Sequence, residues 1–176
     1  FANLEPKAKD FRIFWDNAYA VHHLYPEPKR QDQLPDILAL CEETGKPDMV
    51  YEFVSTSKVT FPGSGISMMA ASEGNRKEIL RHLSVQTIGH DKINQLRHAR
   101  FLKDMDGVRE QMNKQGELTL IKFKIVWEVL ERELSGLEIG SWEYPRGGYF
   151  ISFEALEGCA KAIVAKAKES GLTLTP

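Results

Sequence analysis

Lys58 stands in the run Ser55-Thr56-Ser57-Lys58-Val59-Thr60-Phe61-Pro62-Gly63, directly after the apolar stretch Met49 to Val54. Upstream, Phe11-Arg12-Ile13-Phe14-Trp15 leads into Asp16-Asn17-Ala18-Tyr19. Two apolar runs therefore end in small groups of polar side chains. One group offers a carboxylate and a phenol, the other a primary amine flanked by hydroxyls. An amine partly withdrawn from water loses its proton more readily and attacks aldehydes. A carboxylate facing a pyridine nitrogen favours its protonated form by charge pairing. Hydroxyls beside the amine suit a phosphate, and Pro62, Gly63 and Gly65 let backbone approach closely. This is equipment for holding pyridoxal 5′-phosphate. Lys58 would form the Schiff base and Asp16 would face the pyridine nitrogen. Tyr19 would face the ring hydroxyl, and Ser55 and Ser57 would meet the phosphate. In transamination the same lysine would move a proton between the substrate α-carbon and the cofactor.

Each part taken alone has a plainer explanation. Asp16 by itself reads as a helix cap or turn aspartate. Tyr19 reads as a core residue, and Lys58 as a surface lysine in a loop. The pairing of the two groups is what separates the chemical reading from these.

The elements that must position them follow from pattern. Residues 11–15 read as a buried strand, and residues 22–36, rich in His, Pro and charge, as an exposed loop. Ile37 to Glu43 reads as a short helix stopped by Gly45 and Pro47, and Met49 to Val54 as a second strand. Ile66 to Ala71 is a third strand, apolar enough for burial on both faces. Ser72 starts a helix with Glu73 in its first turn. From Asp91 an apolar stripe runs to Leu134, with Gly107 and Gly116 weakening one long helical stretch without ending it. Leu118, Ile121, Val126, Val129 and Leu130 form its later, packing part. Ile139 to Glu143 and Gly148 to Phe153 read as a hairpin around Tyr144-Pro145-Arg146-Gly147. Ala155 to Ser170 reads as a last helix closed by Gly171, and residues 172–175 as a strand.

Composition sets outer limits. The chain of 176 residues is 42% hydrophobic and 27% charged, which suits a globular core. A net charge of −2 argues against nucleic acid or a membrane surface as the main partner. Cys41 and Cys159 make neither a disulfide framework nor a metal cluster, which fits a reducing, cytoplasmic setting. No run approaches the roughly 20 apolar residues of a membrane span. The adjacent imidazoles of His22 and His23 point apart on an extended chain, so a loop or supporting role is expected and no metal site is assigned.

Asp-x-Ala-Tyr at a strand end, followed some forty residues later by Ser-x-Ser-Lys-x-x-x-Pro-Gly, resembles the fold-type I pyridoxal-phosphate enzymes, the aspartate aminotransferase superfamily. The wording of residues 14–24, Ser55-Thr56-Ser57-Lys58, residues 88–98 and Pro145-Arg146-Gly147-Gly148-Tyr149-Phe150 is similar to bacterial aspartate aminotransferases of the MocR-like subgroup. The resemblance implies an α/β fold. Residues 1–90 would be the C-terminal half of a large domain with a mixed, mostly parallel sheet. Residues 91–106 would be an interdomain helix, and residues 107–176 most of an α+β small domain. It also implies a homodimer that passes an amino group from an amino acid, aspartate by resemblance, to a 2-oxo acid such as 2-oxoglutarate. By the same resemblance Lys58, Asp16, Tyr19, Ser55 and Ser57 take the roles given above. An alternative from the same superfamily is the effector domain of a MocR-type transcriptional regulator.

Two departures stand out. Most of the superfamily has a phosphate-binding arginine seven or eight residues after the lysine, where this chain has Gly65 and Ile66. The superfamily's phosphate loop and substrate arginine find no counterpart here. With Phe1 first and a final run that reads as an interrupted strand, the expectation is a piece of a longer protein, inactive alone. Arg97, His98 and Arg100 form a basic helical cluster, expected on a solvated face or near a partner subunit's phosphate.

Overall fold

The computed structural model describes residues 1–175. Its larger sheet has the order β1-β2-β3, made from β1 (Ile13–Asp16), β2 (Val50–Ser55) and β3 (Ser67–Ala71). β1 runs parallel to β2, and β3 antiparallel to it, so the sheet is mixed as expected. Parallel neighbours need a crossover. Residues 17–49 supply it and include helix α1 (Ile37–Glu43). Asp36 caps α1 by accepting the Ala39 N–H at 2.9 Å.

α1 buries Ile37 and Cys41 against Met49 and Val50, with Ile13, Trp15 and Leu38 packed around them. Side chains alternate along β1. Ile13 and Trp15 therefore face this core, while Phe14 and Asp16 face the other side. On that side Phe14 meets Tyr51 and Phe53 edge to face, with centroids 5.7 and 5.6 Å apart. β3 is less buried than its composition suggests, because Met68 on it is exposed.

Helix α2 (Glu73–Gln86) begins at Ser72, whose hydroxyl accepts the Asn75 N–H at 3.2 Å. The expected long helix from residue 91 to 134 is two helices, α3 (Lys92–Leu102) and α4 (Met105–Leu134). Lys103 breaks the run at φ +63, and Asp104 recaps the chain by accepting the Asp106 and Gly107 N–H groups at 3.0 Å each. Gly107 then lies beneath the end of α3. A Cβ on it would fall 1.8 Å from the Leu102 carbonyl oxygen. The glycine there is a contact residue and not a weak point in a continuous helix.

The face that α4 buries also differs from the expected stripe. Met112, Gly116, Phe123 and Trp127 are buried, whereas Leu118, Ile121, Val126 and Val129 are exposed. α4 is apolar on more than one side, so periodicity alone could not choose between them. Phe123 and Trp127 pack with Leu24, and Met112 packs with Leu102 and Val59.

A second, two-stranded antiparallel sheet joins β4 (Gly140–Trp142) to β5 (Phe153–Ala155), with Trp142 stacked on Phe153 at 6.1 Å. The expected hairpin is therefore real but shorter, and Tyr144 to Gly147 is not its tight tip. That segment reaches back to residues 22–24: Leu24 N–H donates to Arg146 O and Gly148 N–H to His22 O, both at 2.8 Å. Residues 22–24 pass between Gly116 and Gly147. A Cβ on either glycine would lie 2.6 Å from His23 O or 2.7 Å from His22 O. His22 and Leu24 are buried in consequence, against the expectation of an exposed loop. The last helix, α5 (Ala160–Glu169), starts five residues later than expected because Ala155 closes β5. Residues 172–175 form no strand, and Pro176 lies outside the described residues. No helix among the described residues is long and apolar enough to cross a membrane.

Candidate active site

Asp16 and Ser55 end β1 and β2, whose carboxyl ends lie side by side because the strands run parallel, with Asp16 opposite Phe53. Ligands of open α/β sheets gather at such an edge. Asp16 Oδ1 accepts the Ala18 N–H at 3.1 Å, which starts the turn that brings Tyr19 round. Asn17 secures the same turn, its N–H donating to Phe53 O at 2.8 Å and its side-chain amide to Glu52 Oε1 at 2.7 Å.

Thr56 is where the chain leaves the sheet. Its N–H still donates to Ile66 O at 2.9 Å, as a ladder residue would. Its hydroxyl, in place of its carbonyl, accepts the Ile66 N–H at 2.9 Å. The freed carbonyl accepts from Val59 and Thr60 N–H at 2.9 Å each and so closes the turn that displays Lys58. Lys58 Nζ stands 4.7 Å from the centre of the Tyr19 ring, within cation–π range. The sequence-predicted residues Asp16, Tyr19, Ser55, Ser57 and Lys58 thus share one sheet edge. Asp16 is exposed, not set at a buried strand end as expected, because the face of β1 that bears it and Phe14 is open; Lys58 is exposed on its turn, not partly withdrawn from water as expected.

Three residues that pattern reasoning passed over surround this turn. His22 Nε2–H donates to Lys58 O at 3.1 Å. The Tyr149 hydroxyl lies 3.1 Å from both Lys58 O and Gln115 Oε1. Gln115 Nε2 donates to Val59 O at 2.8 Å. The rings of Tyr19, His22 and Tyr149 pack edge to face at 5.2 to 5.9 Å. Burial pushes the Tyr149 phenol up, and Tyr19 adds to the effect. The sequence signals for this cluster are the His22-His23 pair, which pointed to a supporting role without a partner, and Tyr149 in the Pro145 to Phe150 run of the family resemblance.

The basic cluster on α3 divides. Arg97 and Arg100 are exposed as expected, but His98 is buried. At Gly65, where the superfamily pattern has arginine nearby, a Cβ would sit 2.9 Å from Ser57 Oγ and 3.0 Å from Ser57 N. The backbone there presses on the Ser57 turn and leaves no room for a side chain.

Residues 1–176 match the family model described as aspartate amino-transferase. The chain belongs to the aspartate aminotransferase family. A relative from Mycolicibacterium smegmatis is 47% identical over 171 residues, which is 96% of this chain and 39% of that protein. An aspartate aminotransferase from Corynebacterium glutamicum is 42% identical over 172 residues, 98% of this chain and 39% of its own length. A crystal structure of an aspartate transaminase from the same species matches with a TM-score of 0.91 at 41% identity, covering 99% of this chain and 40% of that one. The α-aminoadipate aminotransferase of Thermus thermophilus, solved with N-(5′-phosphopyridoxyl)-L-leucine, matches with a TM-score of 0.71 over 94% of this chain and 40% of its own. At 22% identity that likeness shows the fold alone. The chain therefore spans about two fifths of the length of the aspartate aminotransferase family members it matches.

Proposed function

We propose that these residues carry the lysine site of a pyridoxal-phosphate-dependent aminotransferase, with Lys58 as the cofactor-bonding amine. The observation that carries this reading is Lys58 Nζ poised 4.7 Å from the Tyr19 ring at the β1–β2 edge of a chain in this family. The donor set suits the cofactor. A carboxylate, a phenol, an amine and two serines lie along one edge, and the Gly65 backbone packs closely against Ser57.

When bound, the cofactor supplies an electron sink for the substrate α-carbon. Asp16 would hold the proton on the pyridine nitrogen. The Tyr19 hydroxyl would orient the ring oxygen, and Ser55 and Ser57 would donate to the phosphate. Lys58 Nζ would carry the α-proton. The phosphate's balancing cation comes from somewhere other than position 65, where a side chain would collide with Ser57.

The substrates in this reading are aspartate and a 2-oxo acid such as 2-oxoglutarate, supported by the family description and by the names of the Corynebacterium relatives. A cytoplasmic homodimer of the MocR-like subgroup, with a large-domain part to residue 90, an interdomain helix over 91–106 and a small domain after it, completes the reading. Cys41 and Cys159, both unpaired, accord with a reducing compartment. The regulator alternative has no observation in its favour.

The test is an aspartate–2-oxoglutarate assay on protein extended to the family's full length. Turnover that falls by about a hundredfold or more in Lys58→Ala supports the proposal. Full turnover in Lys58→Ala, or none in the parent with any 2-oxo acid, refutes it.

A further inference from the structure

Neither the family match nor the lysine motif gives a role to His98, which is only 6% exposed and has both ring nitrogens engaged. Nδ1–H donates to Asn94 O at 2.9 Å on its own helix. A carbonyl only accepts, so this bond fixes the proton on Nδ1 and leaves Nε2 of the neutral ring as an acceptor. Nε2 stands 2.8 Å from the Thr60 hydroxyl and 3.0 Å from the Thr56 hydroxyl.

Those two threonines flank Lys58 at two residues on either side. Each also holds the turn. The Thr56 hydroxyl takes the Ile66 N–H, and the single Thr60 hydroxyl proton has two acceptors in reach, His98 Nε2 at 2.8 Å and Thr56 O at 3.1 Å. Asn94, one helical turn before His98 and on the same face, donates to Gly65 O at 3.2 Å. α3 therefore grips both legs of the lysine loop, the outgoing leg through His98 and the returning leg through Asn94. A buried histidine needs partners for both nitrogens whatever its role; here both partners of Nε2 lie two residues from the same lysine.

We propose that His98 is a positioning residue for Lys58, acting through Thr56 and Thr60; the inference rests on the reading of Lys58 as the reacting amine. Lys58 itself is exposed, so its reach is set by the turn beneath it and not by packing of its own stem. An ångström of play at a reacting group is able to lower a rate by about a hundredfold. Loosening the grip should act on the chemical step more than on substrate binding.

The experiment uses protein extended to the family's full length. It compares His98→Leu, Thr60→Val, Thr60→Ser and the His98→Leu/Thr60→Val double variant, with Lys58→Ala alongside. Readouts are kcat and KM for the amino donor with cofactor bound, and hydrogen exchange of the Val59, Thr60 and Ile66 amides without it. His98→Leu and Thr60→Val should each lower kcat by about tenfold to a hundredfold with KM within about threefold. In the cofactor-free protein the three amides should exchange at least about tenfold faster, while those of Phe53 and Val54 stay as they were. Thr60→Ser keeps the hydroxyl and should recover most of the rate. The double variant should be no slower than the worse single, as members of one unit behave. If His98→Leu fails to fold, the Thr60 pair decides. The inference is overturned if the folded variants keep kcat within about threefold while melting earlier, or if Thr60→Ser is as impaired as Thr60→Val. Lys58→Ala separates the two failures. An inactive Lys58→Ala beside fully active His98 and Thr60 variants removes the grip alone, whereas an active Lys58→Ala removes the site and the grip together.

Discussion

His22 donates its Nε2–H to the carbonyl oxygen of Lys58 at 3.1 Å, across 36 positions of chain. The bond places the ring proton on Nε2 and leaves Nδ1 buried, with no donor reaching it among the described residues. Burial holds His22 below its ordinary value of 6.5; the Lys58 charge acts the same way, and hydrogen bonds to backbone oppose it.

The sign of the pH effect follows. Between the lowered folded value and 6.5, the unfolded chain binds more protons than the folded one. The stability owed to neutral His22 is complete above about 6.5 and is lost as pH falls from there through the folded value. Urea unfolding followed from pH 7.5 down to pH 5 should show stability falling with pH. His22→Gln should flatten part of that fall. An unchanged slope in the variant would remove His22 as its source.

Gly65 and Ser57 are in contact at a distance that only glycine permits. Gly65→Ala would place its Cβ 3.0 Å from Ser57 N and 3.1 Å from Ser57 Cα, atoms that move only with the turn. Cofactor affinity should fall by about tenfold, a loss near 1.4 kcal/mol. Gly63→Ala is the comparison: its Cβ meets nothing within 4 Å, so only the cost of its φ of +77, about 1–2 kcal/mol of stability, applies. Cofactor titration separates the two. Equal affinities in both variants would mean that the Ser57 turn does not touch the phosphate.

Two helical glycines should resist alanine for reasons of space. By propensity alone, alanine is better than glycine in a helix by about 1 kcal/mol. Gly107→Ala would instead drive a methyl to 1.8 Å from Leu102 O, and Gly116→Ala to 2.6 Å from His23 O. Each should destabilise by about 2–4 kcal/mol, while Gly89→Ala, open within 4 Å, should change stability by less than about 0.5 kcal/mol. Chemical denaturation of the three variants checks this, and stabilisation by Gly107→Ala would contradict the packing of α3 on α4.

Much of the sheet edge was legible because its signals are local. Apolar runs ending at Asp16 and Ser55, the Ser72 cap and Gly45 depend on a few neighbours each, and β1, β2, α1 and α2 came out close to expectation. The features that hold Lys58 depend on partners far away in the chain. Thr56 and His98 are 42 positions apart, and Lys58 and Tyr149 are 91. Histidines and glutamines carry no pattern that names such partners. The break at Lys103 was hidden for the same reason, since Gly107 reads as a weak helix residue until Leu102 O is seen above it. The Tyr144 to Gly147 run looked like a hairpin tip because its composition is that of a turn, yet its backbone pairs with residues 22–24.

The central claim is that Lys58 is the amine that bonds the cofactor. Borohydride reduction of the cofactor-loaded protein at the family's full length, followed by peptide mapping, tests it directly. The expected result is a single phosphopyridoxyl label on Lys58. A label on another lysine, or no label after reduction, would contradict it.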